Sequence, residues 1–158
     1  MENSQLINIS KRSTRQYPPS PICKMCGGLC CQASSGIMHP DQCDALDELL
    51  DSGDYSIDWW DGDPRPNGGL SQVYFIRPRH VGVEKLLDPS WGGTCVFLSG
   101  RGCTLSRDEM PLQCRALRPR ETLKGDCKGT LTKEKMAWIW TTHQAWIVEY
   151  IERYRNGR

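Results

Sequence analysis

No stretch of this sequence approaches the roughly eighteen consecutive apolar residues that a membrane-spanning helix requires. The opening MENSQLINISKRSTRQYPPSP also lacks the apolar core of a secretory signal, so the expected location is the cytoplasm. Charge of one sign is not in excess either. Twenty Lys and Arg against nineteen Asp and Glu leave a formal charge of +1, which gives no electrostatic footprint for nucleic acid or for an anionic membrane. There is no Gly-rich phosphate loop, no nucleophile elbow and no pair of carboxylates spaced for catalysis, so no catalytic residues are assigned. Internal repeats and low-complexity segments are absent as well.

What the chain has in excess is cysteine, nine in 158 residues. Such a set can be a disulfide framework, a group of metal ligands or scattered buried thiols. In a compartment that keeps thiols reduced, clustered cysteines are metal-binding or redox-active. The length suits one domain that can bury a real core, so staples are not needed merely to fold.

Along the chain, residues 1–20 read as an extended N-terminal arm that YPPSP stiffens, and 21–158 as a single cysteine-cluster domain. A short helix is expected over 40–50, with Pro40 at its start, Gly53 as its stop and Cys43, Leu46, Leu49 and Leu50 facing inward. DWWDGDPRPNGG, 58–69, reads as a loop and SQVYFI, 71–76, as a strand. WGGTCVFLSGRGC, 91–103, predicts a short strand and turn, and 108–130 is loop-dominated. The apolar spacing over 132–154 predicts a long amphipathic helix, with Trp140 and Trp146 on its packing face. The fold class is therefore α+β, a small, irregular, loop-rich metal-binding domain closed by that helix.

The cysteines fall into two groups. Cys23 and Cys26 are separated by two residues, and Cys30 and Cys31 follow three residues later, around a turn that Gly27 and Gly28 allow to fold back. Thiolates on one metal must converge to about 2.3 Å from it, which short spacings across a turn favour. Adjacent cysteines have difficulty reaching one ion, so Cys30 and Cys31 can serve two metal positions. Cys95, Cys103, Cys114 and Cys127 form the downstream group, and the fold is expected to bring the two groups together. Soft thiolates select zinc, copper(I) or iron–sulfur centres.

CKMCGGLCC, GTCVFLSGRGC, PLQCRALRPR and the trailing Cys127 resemble the cysteine-cluster family described as zinc- or iron-chelating domain proteins, often labelled iron–sulfur oxidoreductases. A related cluster occurs in flagellin lysine-methylating enzymes. The resemblance covers 23–31 and 91–127. It implies eight metal ligands: Cys23, Cys26, Cys30, Cys31, Cys95, Cys103, Cys114 and Cys127. Met110-Pro111 stands where the family commonly has Arg-Pro, and Cys43 has no counterpart, which suits a buried apolar thiol.

Only Cys23 and Cys26 have zinc-knuckle spacing, and the downstream gaps of seven, ten and twelve residues are wider than a zinc ribbon uses. The balance tips to an iron–sulfur centre, with zinc as the alternative. The expected function is metal binding with a redox or electron-transfer role. The rival readings are a non-catalytic zinc-stabilised interaction module and an accessory or scaffold domain of an enzyme. His39, His80 and His143 are not needed as ligands when the thiolates suffice; His80 is expected in a basic loop, and His143 reads as a core histidine. Arg115, Arg118 and Arg120 either offset thiolate charge or form a solvated basic loop. Trp59 and Trp60 are candidates for an exposed contact. No protein partner or substrate is named by the sequence.

Overall fold

The computed structural model describes residues 34–89, 92–100, 102–106, 108–118, 128–129 and 131–157. Its centre is an antiparallel hairpin of β1 (Tyr55–Asp61) and β2 (Gln72–Pro78), registered with Tyr55 opposite Pro78 and Asp61 opposite Gln72. Aromatic and β-branched side chains suit this pleated, half-buried surface, and Ile57, Val73, Phe75 and Ile76 are fully buried on it. The strand expected over 71–76 is present. The loop expected over 58–69 is not all loop, because Asp58–Asp61 continues β1. Trp59 stands edge-on to Tyr74 at 6.0 Å, and Trp60 lies opposite Val73 and packs on the core. Cross-strand partners decide this, and the turn-rich composition of the segment conceals them. Both tryptophans are half-buried rather than exposed.

The turn begins at Gly62, whose φ of +81° favours glycine. Asp63 then organises it, accepting from the backbone N–H of Arg65 and of Leu70 at 2.9 and 3.1 Å and pairing with the Arg65 guanidinium at 2.8 Å.

The helix expected over 40–50 is two pieces, a 3-10 turn at Pro40–Cys43 and α1 at Leu46–Asp51, because Ala45 is non-helical at φ −100°, ψ 64°. Cys43, Leu46, Leu49 and Leu50 are all buried, as the spacing predicts. His39 caps the turn, its Nδ1 accepting from Asp41 N–H at 3.0 Å while Gln42 Oε1 accepts from His39 N–H at 2.9 Å.

The C-terminal helical run spans 23 residues and starts where Thr132 Oγ1 caps Lys135 N–H at 3.1 Å. It too is broken, into α3 (Lys133–Trp140), a 3-10 turn (Thr141–His143) and α4 (Gln144–Arg155). Gln144 explains the register at the break. Its side-chain amide exchanges two hydrogen bonds with the backbone of Tyr74 on β2, at 2.8 and 2.9 Å, and also donates to Trp140 O at 2.8 Å. Trp140 is fully buried, and its Nε1 donates to Met38 O at 2.8 Å. Burying a side chain of this size contributes about 3 kcal/mol. Tyr150 donates to Asp51 at 2.6 Å, and Arg153 takes Asp47 through two bonds of 3.0 Å, so α4 is tied to both ends of α1.

Arg77 is buried beneath the hairpin, bonded to Asp58 at 2.9 Å and to Asp88 at 3.0 Å. Its remaining donors reach the carbonyls of Pro78 and Asp88, so the guanidinium is well satisfied. The architecture is α+β. Among the described residues, no helix is long and apolar enough to cross a membrane.

Candidate metal centre

Of the eight candidate ligands, Cys95, Cys103 and Cys114 are described. Cys23, Cys26, Cys30, Cys31 and Cys127 lie outside the described residues, as do the arm at 1–20 and Arg120.

Cys95 is buried at 7% exposure and bridges His80 in antiparallel fashion, flanked by Val81 N–H to Thr94 O at 2.7 Å and Val96 N–H to Arg79 O at 2.9 Å. A turn closed by Leu98 N–H to Cys95 O at 3.1 Å leads into a two-residue strand, β3 (Leu98–Ser99), which pairs with β4 (Gly102–Cys103). Leu98 is opposite Cys103, so the Cα atoms of Cys95 and Cys103 fall within about 13 Å of each other. The expected strand and turn here are thus a small hairpin that ends at Cys103 and follows the Cys95 bridge.

Cys103 is half-buried, and its Sγ accepts the backbone N–H of Leu105 at 3.4 Å. Burial raises the pKa of this thiol, the Glu109 carboxylate adds to the rise, and the Leu105 N–H opposes it. A metal would reverse that balance by binding the thiolate outright.

Cys114 lies on the single-turn helix α2 (Leu112–Arg115), which begins after Pro111. Two glutamines fix its place. Gln42 donates to Met110 O at 2.8 Å and accepts from Leu112 N–H at 2.9 Å. Gln113 Oε1 accepts from Ile37 N–H at 2.9 Å, its own N–H reaches Ile37 O at 3.3 Å, and its Nε2 donates to Leu131 O at 3.1 Å. Met110 packs against the core, an apolar contact where the family resembled commonly has arginine.

The segment that follows Cys31 runs between these pieces. Ser35 Oγ donates to Pro78 O at 2.7 Å, Ser35 N–H donates to His80 Nε2 at 3.3 Å, and Met38 N–H donates to Ile76 O at 2.9 Å. Gly36 lies directly against Cys114, so that a Cβ on it would overlap Sγ. Cys31 precedes Ser34 by three residues, a covalent span of at most about 11 Å. On the other side, β5 (Leu117–Arg118) pairs antiparallel with β6 (Lys128–Gly129), and Lys128 directly follows Cys127. Cys95, through its bridge to His80, and Cys114, through Gly36, are therefore both linked to the segment that follows Cys31. Among the described residues alone, no three His, Cys, Asp or Glu side chains converge as a metal-holding group.

Cys43 is separate from all of this. It is fully buried in the apolar core, its Sγ donates to His39 O at 3.6 Å, and burial drives its thiol pKa far up. The histidines divide differently from the sequence reading. His143 is half-buried at the helix break, beside Trp140 and Trp146, rather than in the core. His80, expected in a basic loop, is 2% exposed, and burial first and the Arg77 guanidinium second hold its pKa below the ordinary imidazole value, opposed by Asp88 and Asp58.

Among the described residues three buried side-chain polar atoms have no hydrogen-bond partner: Glu48 Oε2, His80 Nδ1 and Arg115 Nε. The last two belong to the residue bridging Cys95 and the residue following Cys114. Gln42, Gln113, Ser35 and His80 are the positioning residues that spacing alone does not flag, because each acts on a backbone distant in sequence. Comparison with protein-family models, with curated proteins and with solved structures found no match in any of the three.

Proposed function

We propose that this chain binds a metal through clustered cysteine thiolates, as an iron–sulfur centre used for redox or electron transfer. The ligands are drawn from Cys23, Cys26, Cys30, Cys31, Cys95, Cys103, Cys114 and Cys127, as in the cysteine-cluster family that the sequence resembles. The observation that carries the reading is the lodging of segment 34–37, three residues beyond Cys31, between His80 and Cys114. It supports the convergence of two cysteine groups that are more than sixty residues apart in the chain.

The donor set fits the group. Metal-bound sulfur carries negative charge and accepts hydrogen bonds, which tune both affinity and potential. Leu105 N–H already donates to Cys103, and next to Cys114 the buried Arg115 Nε–H has no partner among the described residues. Bound there, an iron–sulfur centre would supply one-electron transfer. The chain's own contribution is to position the cysteine sulfurs and to screen them from water.

Anaerobic purification followed by iron, zinc and acid-labile sulfide analysis and a visible spectrum tests this. Iron with matching sulfide and a brown chromophore is expected. Stoichiometric zinc without colour would make the chain a zinc-stabilised module instead. Protein that holds neither metal, with all nine thiols titratable after unfolding, would overturn the proposal.

A further inference from the structure

We propose that His80 is a positioning residue of that centre, donating a hydrogen bond from Nδ1–H to one of its sulfur atoms and not ligating the metal itself. The inference rests on the metal-binding reading above and adds a specific residue to it. His80 is buried at the end of the central hairpin, with only 2% of its surface exposed. Its Nε2 receives the backbone N–H of Ser35 at 3.3 Å, and Ser34 Oγ stands 3.4 Å from the same atom. A backbone N–H can only donate, so Nε2 presents its lone pair. A neutral imidazole of that kind carries its hydrogen on Nδ1.

Among the described residues that Nδ1 has no hydrogen-bond partner, although it is buried. Buried N–H groups are almost always paired, so an orphan of this kind calls for an acceptor that is not part of the described protein. The surroundings identify which acceptor. His80 bridges Cys95 across the strand pair, and the Ser35 backbone that binds its Nε2 edge is four residues beyond Cys31 in the chain. Gly93 packs directly against the ring, where a Cβ would stand 2.8 Å from Cγ and 2.9 Å from Nδ1, so a side chain there would displace the imidazole. Candidate thiolate segments therefore flank the ring on two sides.

Metal-bound thiolate or sulfide is a charged acceptor suited to such a donor, and the bond draws charge away from the metal–sulfur unit. Direct ligation through Nδ1 is disfavoured by the same tautomer argument. With Nε2 already accepting, a lone pair on Nδ1 would require an imidazolate. Histidine here thus does for Cys95 and its neighbours what Leu105 N–H does for Cys103.

The test uses the full chain loaded with metal. In 15N-edited spectra the His80 ring, assigned by its disappearance in His80→Asn, should be neutral and protonated at Nδ1. That proton should exchange slowly with metal bound and rapidly after chelation. A proton on Nε2 overturns the proposal. Chelator competition supplies the second arm. His80→Asn keeps an N–H donor near the Nδ1 position and should hold metal within about threefold of the parent. His80→Leu should lose about 10–100-fold in affinity at unchanged stoichiometry. Parental affinity in His80→Leu, or equal loss in both variants, overturns the donor role. A parent chain that binds no metal overturns this proposal together with the function it rests on, whereas metal-replete parent with either failed arm overturns this one alone.

Discussion

The thiol of Cys114 rests on the backbone of Gly36, and no side chain fits between them: a Cβ on Gly36 would overlap Sγ and stand 3.1 Å from Cys114 N. This contact joins the exit of the first cysteine group to the third cysteine of the second. Gly36→Ala should push α2 and its thiol away, costing about 1–3 kcal/mol through overpacking and lowering metal content. Gly69→Ala, where a Cβ meets no described atom within 4 Å, is the matched control. Equal metal content in the two variants would break the link between Gly36 and the centre.

Cys43 should behave unlike the candidate ligands. Cys43→Ala should leave metal stoichiometry unchanged while costing about 1–2 kcal/mol in denaturant unfolding, the result of a small core void. Cys103→Ala and Cys114→Ala should lose metal. Loss of metal from Cys43→Ala would place that thiol in the site.

The raised pKa of Cys43 also sets a pH dependence. In the unfolded chain this thiol ionises above about pH 8.5, whereas in the folded core it stays protonated. The unfolded state then binds fewer protons, so stability falls as pH rises, by about 1.4 kcal/mol per unit while the folded thiol holds its proton. Relative to the parent, Cys43→Ala should unfold with a shallower decline between pH 8.5 and 10. Parallel curves would show that the thiol titrates alike in both states.

Arg77 holds two carboxylates beneath the hairpin. Arg77→Met fits the volume but leaves Asp58 buried without its cation, at a cost of about 3–5 kcal/mol. Urea unfolding at neutral pH measures it. Because Asp58 lies on β1 and Asp88 lies next to Pro89 on the path to Cys95, a folded variant should also hold metal less tightly.

Metal removal under reducing conditions should loosen the chain unevenly, since metal binding that joins distant segments is also folding free energy. Amide exchange should rise over 34–37 and 103–118. Protection should persist in β1, β2 and α4, which Ile57, Phe75, Ile147 and Ile151 pack independently of any cysteine ligand. Unchanged protection across both cysteine segments would mean that metal carries none of their stability.

Local pattern determined a good deal of this protein. A run of aromatic and β-branched residues marked β2, and the 3.6-residue spacing of Met136, Trp140, Ile147, Tyr150 and Ile151 marked the C-terminal helices, because an amphipathic helix must pack its apolar face. The same logic placed Cys43 in the core. Cysteine grouping pointed to thiolate chemistry, since few other uses need four such residues in nine. Tertiary structure decided the rest. Asp58–Asp61 became strand because β2 offered ladder partners, and the long helix broke at Thr141–His143 where Gln144 engages Tyr74. His80 moved from an expected loop into a buried position between Ser35 and Cys95. Each of these outcomes depends on backbone partners outside the local segment, from eleven residues away for Asp61 and Gln72 to seventy for Tyr74 and Gln144. Local spacing records which face of an element is apolar, but it carries no information about which distant backbone will meet that face.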